Sequence, residues 1–294
     1  MAGMTRGYLY AIIAYIMWGF FPIYWKQLHD VPAGEVILHR IIWSLVFLGL
    51  LGLLRRKWIW LRQLYLHPRR TLTLGVAATL LAVNWLVYVW GVNHGFVVQA
   101  SLGYFITPLV NVLLGVALLG ERLRRLQWLA VGLATAGVLY LMLGVGEIPW
   151  VAFALAASFG FYSFSKKKMR LEAIEGLTAE MGILFLPALG LFLLLAGRGE
   201  ARVFQSSATL FLLVGSGAVT SIPLIFFGAA TRAIPLSAVG VLQYIAPLLQ
   251  FLIGVFLYRE PFTFGRLIGF AIIWTAVGVF IFDNIRAQRG VPVL

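Results

Sequence analysis

Ten apolar runs follow one another along the chain, near residues 8–25, 35–54, 71–92, 96–119, 126–144, 149–165, 177–197, 208–230, 237–258 and 264–283. Each is close to the roughly 20 residues a helix needs to cross a hydrocarbon core of about 30 Å. The runs are continuously apolar, not alternating, which predicts helices in preference to the strands of a barrel. Only short polar tracts separate them, so no stretch remains for a soluble domain. The run at 149–165 is the shortest and begins at Pro149. With it, the pattern predicts an all-α integral membrane fold of ten transmembrane helices, numbered here as spans one to ten.

Composition strengthens this reading. Hydrophobic side chains make up 62% of the chain and charged ones 11%, against about 45–50% and about 25% in soluble domains. No water-facing fold can hide that surplus, because its surface must also be covered. The net charge of +13 would raise nucleic acid as a partner in a soluble protein. Here most basic residues sit in tracts between apolar runs, where they read as topology signal and as contacts to anionic lipid headgroups. With the N-terminus in the cytoplasm, the cytoplasmic tracts hold 17 Lys and Arg, from Arg6 to Arg289. The outside tracts hold five: Lys26, Arg198, Arg202, Arg259 and Arg266. That asymmetry predicts an even number of spans with both termini inside. The first run is too long for a signal-peptide core and no small-residue cleavage site follows, so it is read as a retained span. The absence of cysteine excludes disulfides, thiolate catalysis and cysteine-ligated metal.

The chain also resembles itself. Shifted by 139 residues, 100–138 lies on 239–277 without a gap. Pro108 then meets Pro247, Gly115 meets Gly254 and Glu121 meets Glu260. The same offset puts span one on span six and span two on span seven. Two five-helix repeats follow, 1–145 and 146–294, and an odd number of helices per repeat makes the second enter the membrane inverted. Such repeats are a device of secondary transporters.

Chemistry inside the spans is sparse. Arg40 is the only Lys or Arg well inside a run, ~9 Å along its helix from the outer end. A charge at mid-bilayer costs on the order of 3 kcal/mol, so Arg40 is a candidate for holding a substrate anion. Glu35 and His39 lie on the same helix at i, i+4 spacing. They form with Arg40 an outer cluster that either binds substrate, closes a gate or anchors span two. Asn84, Trp85, Tyr88, Gln99, Ser101, Tyr104, Asn111, Gln243, Tyr244 and Gln250 are the candidates among the polar and aromatic residues within the spans. Each has two readings, lining a substrate pocket or joining helices through interhelical hydrogen bonds. Trp90, with Trp85, Tyr88 and Tyr104, could form an aromatic wall for a partly apolar ligand, the alternative near span ends being an interfacial belt. Pro108 and Pro247 each remove a backbone hydrogen bond near mid-span, which predicts kinks that free carbonyls for a cavity between the repeats. Glu180 reads as an interfacial acid, with proton coupling the alternative. Glu121 and Glu260 read as helix-end contacts. Walker, H-E-x-x-H and G-x-S-x-G motifs are absent, so neither direct ATP use nor an enzyme is expected, and no cofactor or metal.

Several stretches resemble a known family. These are W-G-F-F-P-I-Y-W-K (Trp18–Lys26), E-V-I-L-H-R-I-I-W-S (Glu35–Ser44), N-W-L-V-Y-V-W-G-V-N (Asn84–Asn93), Q-A-S-L-G-Y-F-I-T-P-L-V-N (Gln99–Asn111), L-G-E-R (Leu119–Arg122) and Q-Y-I-A-P (Gln243–Pro247). They are similar to the EamA-type permeases of the drug/metabolite transporter superfamily, and to their RarD-like branch in particular. The resemblance implies ten helices in an inverted repeat, a central cavity and alternating access. Relatives export amino acids and other metabolites, and the RarD-like branch carries an association with chloramphenicol sensitivity. The expectation is a secondary transporter of the bacterial inner membrane that exports a small metabolite or drug-like solute. Its partners would be substrate and membrane lipid, with protons one candidate coupling ion, in a monomer or weak dimer. A passive facilitator and an intramembrane lipid-handling protein or enzyme are the alternatives.

Overall fold

A computed structural model describes residues 2–55, 60, 68–143, 148–169, 171–259 and 264–288. Glu260, and Arg56, Lys57, Arg62, Arg170 and Arg289 of the basic tally, lie outside the described residues. Nine helices among those described are long and apolar enough to cross a membrane. The tenth, Trp150–Lys168, is the short sixth run of the sequence. It has 19 residues, about 28 Å at 1.5 Å per residue. Three lysines at its end lower its mean hydropathy. It is tolerated because it is an inner helix: Val151, Ala152, Ala156 and Tyr162 are wholly buried, packed between spans three and four.

The other spans follow the apolar runs closely. Span two is Ala33–Arg55, span three Pro68–Asn93, span four Val97–Leu119 and span five Arg125–Leu143. Span seven is Ala173–Gly197, span eight Ser207–Ala233 and span ten Phe264–Gln288. Spans one and nine are broken. Span one runs Ala2–Gly19, turns at Phe20 and resumes as Phe21–Trp25, with a 3-10 turn at Lys26–Leu28. Pro22 sits in the first turn of that second piece, where its missing N–H has no helical partner to lose. Span nine is Leu236–Leu242, Ile245–Leu252 and a π-helical turn at Ile253–Leu257. The break at Gln243–Tyr244 has a local cause. Pro247 has no N–H to give the Gln243 carbonyl, and Ala246 N takes that carbonyl instead at 3.1 Å, a tighter i→i+3 bond. Pro108, its mate at the 139-residue offset, leaves span four helical from end to end.

The first described helix begins and the last ends at one end of the bundle, where Tyr8 and Asn284 meet at 3.4 Å; this end is called the terminal face. Packing partners come in sets. Span one packs on span eight and span three on span six. Span two packs on span eight and span three on span seven; span one packs on span nine and span four on span six. Spans two and seven, four and nine, and five and ten pack on each other. Spans four and nine cross closely, where a Cβ on Gly240 would stand 2.6 Å from the Pro108 carbonyl oxygen, and spans two and eight cross closer still, where a Cβ on Gly217 would meet the Trp43 carbonyl carbon.

Glu121 ties the same two spans at the terminal face. Gly120 ends span four in the left-handed region, with φ of 67°, a conformation glycine adopts without strain. The turn delivers the Glu121 carboxylate to the backbone N–H groups of Leu236 (2.6 Å) and Ser237 (2.9 Å). A carboxylate is well placed on the unpaired donors that open a helix, so the expected helix-end contact is found. Nearby, Arg124 Nε bonds the buried Asp283 carboxylate at 2.6 Å and fastens the turn after span four to span ten.

Candidate functional site

Arg40 stands at the centre of the largest group of candidate residues that the fold assembles. Its Nε donates to Thr220 Oγ1 on span eight at 3.0 Å. Its guanidinium carbon lies 4.5 Å from the ring centre of Trp85 on span three and 5.0 Å from that of Trp25 at the far end of span one. Tyr88 and Tyr104 face each other with ring centres 6.2 Å apart, both within electrostatic reach of the guanidinium. Four spans and the end of a fifth element therefore meet around one cation. Arg40 forms no ion pair among the described residues. Its charge is met by π faces, each worth about 0.5–2 kcal/mol, and by one hydroxyl.

Exposure in the chamber around Arg40 lies toward the face opposite the termini. Span four is the most enclosed helix of the bundle, yet Ser101 and Tyr104 on its outer half are exposed while Pro108, Asn111 and Val112 below them are buried. Toward the terminal face the route is filled. Tyr15, Tyr162 and Phe227 are fully buried; Phe227 packs against Tyr15, Trp18, Phe159 and Tyr162, with ring centres 5.4–6.4 Å apart. Tyr15 Oη donates to the Val239 carbonyl at 2.8 Å and fixes this plug to span nine.

The remaining candidates stand apart from the chamber. Asn84 donates to the Leu155 carbonyl and to Ser158 Oγ, both at 3.0 Å, and joins spans three and six. Gln99 accepts from Val151 N at 3.2 Å at the start of span six. Asn111 and Gln243 bond to each other at 3.0 Å across spans four and nine. Tyr244 Oη donates to the Phe105 carbonyl at 2.9 Å, and Gln250 donates to the Trp18 carbonyl at 3.0 Å. Trp90 stacks with His94 and Phe96 and meets Trp150 at a tilt, at the face opposite the termini. His39 points from span two to span seven, against the Phe192 ring at 4.8 Å. Glu35 does not touch Arg40: its two oxygens accept from Arg202 N and Val203 N, each at 2.9 Å.

Glu180 is a correction. It is fully buried between helices and does not face solvent. Lys166 Nζ pairs with it at 2.7 Å and Tyr162 Oη donates to it at 3.1 Å. Lys166, counted with the cytoplasmic tract, lies inside span six and is 3% exposed. The other two lysines of the run bear the topology signal that hid it. Trp25 and Thr220 were also missed. Trp25 closes an aromatic motif, and Thr220 belongs to the small polar series Ser216, Thr220, Ser221 in span eight; neither pattern marks a site by itself.

Comparison with known proteins agrees with this architecture. Residues 5–143 match the EamA-like transporter family. "Protein RarD" of Streptomyces exfoliatus is 45% identical over 284 residues, covering 96% of this chain and 90% of that protein. The chain belongs to the EamA-like transporter family, in its RarD-like branch. "Uncharacterized transporter YojE" of Bacillus subtilis is 44% identical over 292 residues, 98% of this chain and 97% of its own. A solved crystal structure shares the fold with a TM-score of 0.72 at 20% identity, over 94% of this chain and 96% of the other. This EamA-like protein is thus a multi-pass membrane transporter.

Proposed function

We propose that this EamA-like protein is a secondary transporter of the bacterial inner membrane, with both termini in the cytoplasm, that exports small organic anions by alternating access. The chamber around Arg40 carries the reading. A cation held among four aromatic rings with no carboxylate partner among the described residues lacks its counter-ion, and a substrate anion supplies one. Indole and phenol walls add affinity for an apolar or aromatic body. The substrate class is therefore a carboxylate or other anion joined to a planar apolar group.

Two five-helix repeats, 1–145 and 146–294, related by inversion, supply the two states. The exchange of packing partners between spans five apart supports this. So does the Tyr244–Phe105 bond, which joins residues 139 apart, the offset of the sequence repeat. In the state described here the chamber opens away from the termini and the aromatic plug closes the terminal side. The protein acts as a permease, not an enzyme: the buried acids in the spans, Glu35, Glu180 and Asp283, are held by backbone N–H groups, by Lys166 and by Arg124.

Radiolabelled benzoate, which joins one carboxylate to one ring, tests the reading by equilibrium binding to purified protein in nanodiscs. A charge-assisted contact is worth about 1.5–3 kcal/mol, so Arg40→Ala weakens binding by about 10- to 100-fold. Arg40→Lys retains part of it, since a lysine keeps the charge but loses the planar stacking on Trp85. Unchanged affinity in Arg40→Ala refutes the assignment.

A further inference from the structure

A second ionisable group of span two sits beside the chamber with one side unused. His39 is 3% exposed and Glu35 2%. Trp43 Nε1 donates to His39 Nδ1 at 3.1 Å. An indole nitrogen can only donate, so Nδ1 carries no proton and the neutral ring holds its proton on Nε2. That Nε2 is buried with no hydrogen-bond partner. Its nearest acid oxygen, Glu35 Oε1, is 3.8 Å away, too far for a hydrogen bond. Glu35 in turn receives two backbone N–H groups and no Lys or Arg ion pair among the described residues. A buried carboxylate and a buried, half-satisfied imidazole one helical turn apart are an ion pair lacking one proton.

We propose that His39 and Glu35 form a proton-binding site that sets the packing of span two on span eight. A proton from the water at the open end adds to His39 Nδ1. The Trp43 indole then loses its acceptor, and the imidazolium closes its Nε2–H onto Glu35 Oε1. No other bond breaks, and the proton returns to water when Trp43 donates again. Trp43 is where this reaches the chamber. Gly217 of span eight lies directly on the Trp43 carbonyl, Ser44 Oγ donates to the Gly217 carbonyl at 3.2 Å, and Thr220, the partner of Arg40, is the next turn of that helix.

The charges around His39 are few. Span two contributes Glu35 and Arg40, whose guanidinium is turned toward Trp85 and Trp25. The turn between spans seven and eight contributes Arg198, Glu200 and Arg202, and the far end of span one contributes Tyr24. The outer half of span seven, from Leu186 to Gly197, and that of span eight, from Ser207 to Thr220, hold no titratable side chain. The turn between spans one and two contributes Lys26, His29 and Asp30, so the titration is read from the ring signal of His39 itself, which the His39→Gln comparison separates from that of His29.

The inference takes the chamber to be the transport pathway, but its test is independent of any substrate. The full chain, labelled with ring-15N histidine and placed in nanodiscs, is titrated from about pH 5 to about pH 8, the window of histidine. The four histidines give separable signals, and His39→Gln identifies the one at issue. His39 is expected to pass from the Nε2–H tautomer to imidazolium, with the Trp43 indole signal changing in step. In parallel, because the chain has no cysteine, Ser101→Cys reports access to the chamber through an impermeant thiol reagent. The ratio of its labelling rate to that in the His39→Gln background, which cancels the thiol's own titration, is expected to change more than about threefold across the same window. Trp43→Phe, which removes the competing donor, keeps the transition and shifts its midpoint. A His39 that stays neutral throughout, or one that titrates with no response from Trp43 and Ser101→Cys, overturns the proposal. Benzoate affinity at fixed pH reports Arg40 separately, so either claim can fail alone.

Discussion

A single arginine and a single buried ion pair show how differently charge is held in this bundle. Arg40 was legible in the sequence because a cation inside an apolar run is costly. Trp85, Tyr88 and Tyr104 were legible as its neighbours, because large polar-tipped rings within spans are few. Asn84, Gln99, Asn111, Gln243 and Tyr244 have the same signature, yet each bonds another helix. Sequence cannot separate the two roles, because lining and gluing use the same amides and hydroxyls and differ only in which way they face. Glu180 was misread for a related reason: its partner, Lys166, is the first of three lysines and looks like part of a loop. The pair with Lys166 makes a prediction. Removing one partner of a buried pair costs about 3–5 kcal/mol, whereas replacing both with apolar groups of similar volume is close to neutral. Thermal denaturation in detergent should show Glu180→Met and Lys166→Met each melting well below the parent, with the double variant recovering most of the loss. Additive losses would mean that the two are not coupled.

At the level of elements, ten runs gave ten helices, including the short sixth, whose modest hydropathy is explained by burial between spans three and four. The breaks were harder to read. Pro108 and Pro247 occupy matched positions, yet only the second interrupts its helix; nothing within either segment distinguishes them, and the packing of Gly240 on the Pro108 carbonyl is a tertiary fact. Pro247→Ala restores an N–H to the Gln243 carbonyl, so amide hydrogen exchange at 244–248 should slow; unchanged exchange would place the cause of the break elsewhere. Glycines at helix crossings make a complementary prediction. Gly217→Ala forces a methyl against the Trp43 backbone, which cannot give way, and overpacking of this kind costs about 1–3 kcal/mol. Gly182→Ala, with open space around the glycine, should leave the melting temperature unchanged or slightly raised. Equal losses at both would remove the crossing of spans two and eight as a tight contact.

For the whole molecule, hydropathy foresaw ten spans; the division into two sets of five is the proposal that the 139-residue offset makes, and the paired packing of spans five apart is consistent with it. What the sequence could not carry is the state of the bundle. Which end is open depends on aromatic contacts between spans one, six and eight, residues far apart along the chain whose pairing no local pattern records. The proposed inverted repeats would imply a second state in which the plug of Tyr15, Trp18, Phe159 and Phe227 separates and the rings around Arg40 close. The cysteine-free background makes that state measurable with paired spin labels. One pair, His94→Cys with Glu200→Cys, spans the open face; the other, Leu54→Cys with Ala233→Cys, spans the terminal face. All four positions are exposed. Double electron–electron resonance on protein in nanodiscs, with and without saturating benzoate, tests alternating access directly. The expected result is two distance populations for each pair that exchange in opposite senses, one face closing as the other opens. A single unchanging distance at both faces, or both faces opening together, would contradict it.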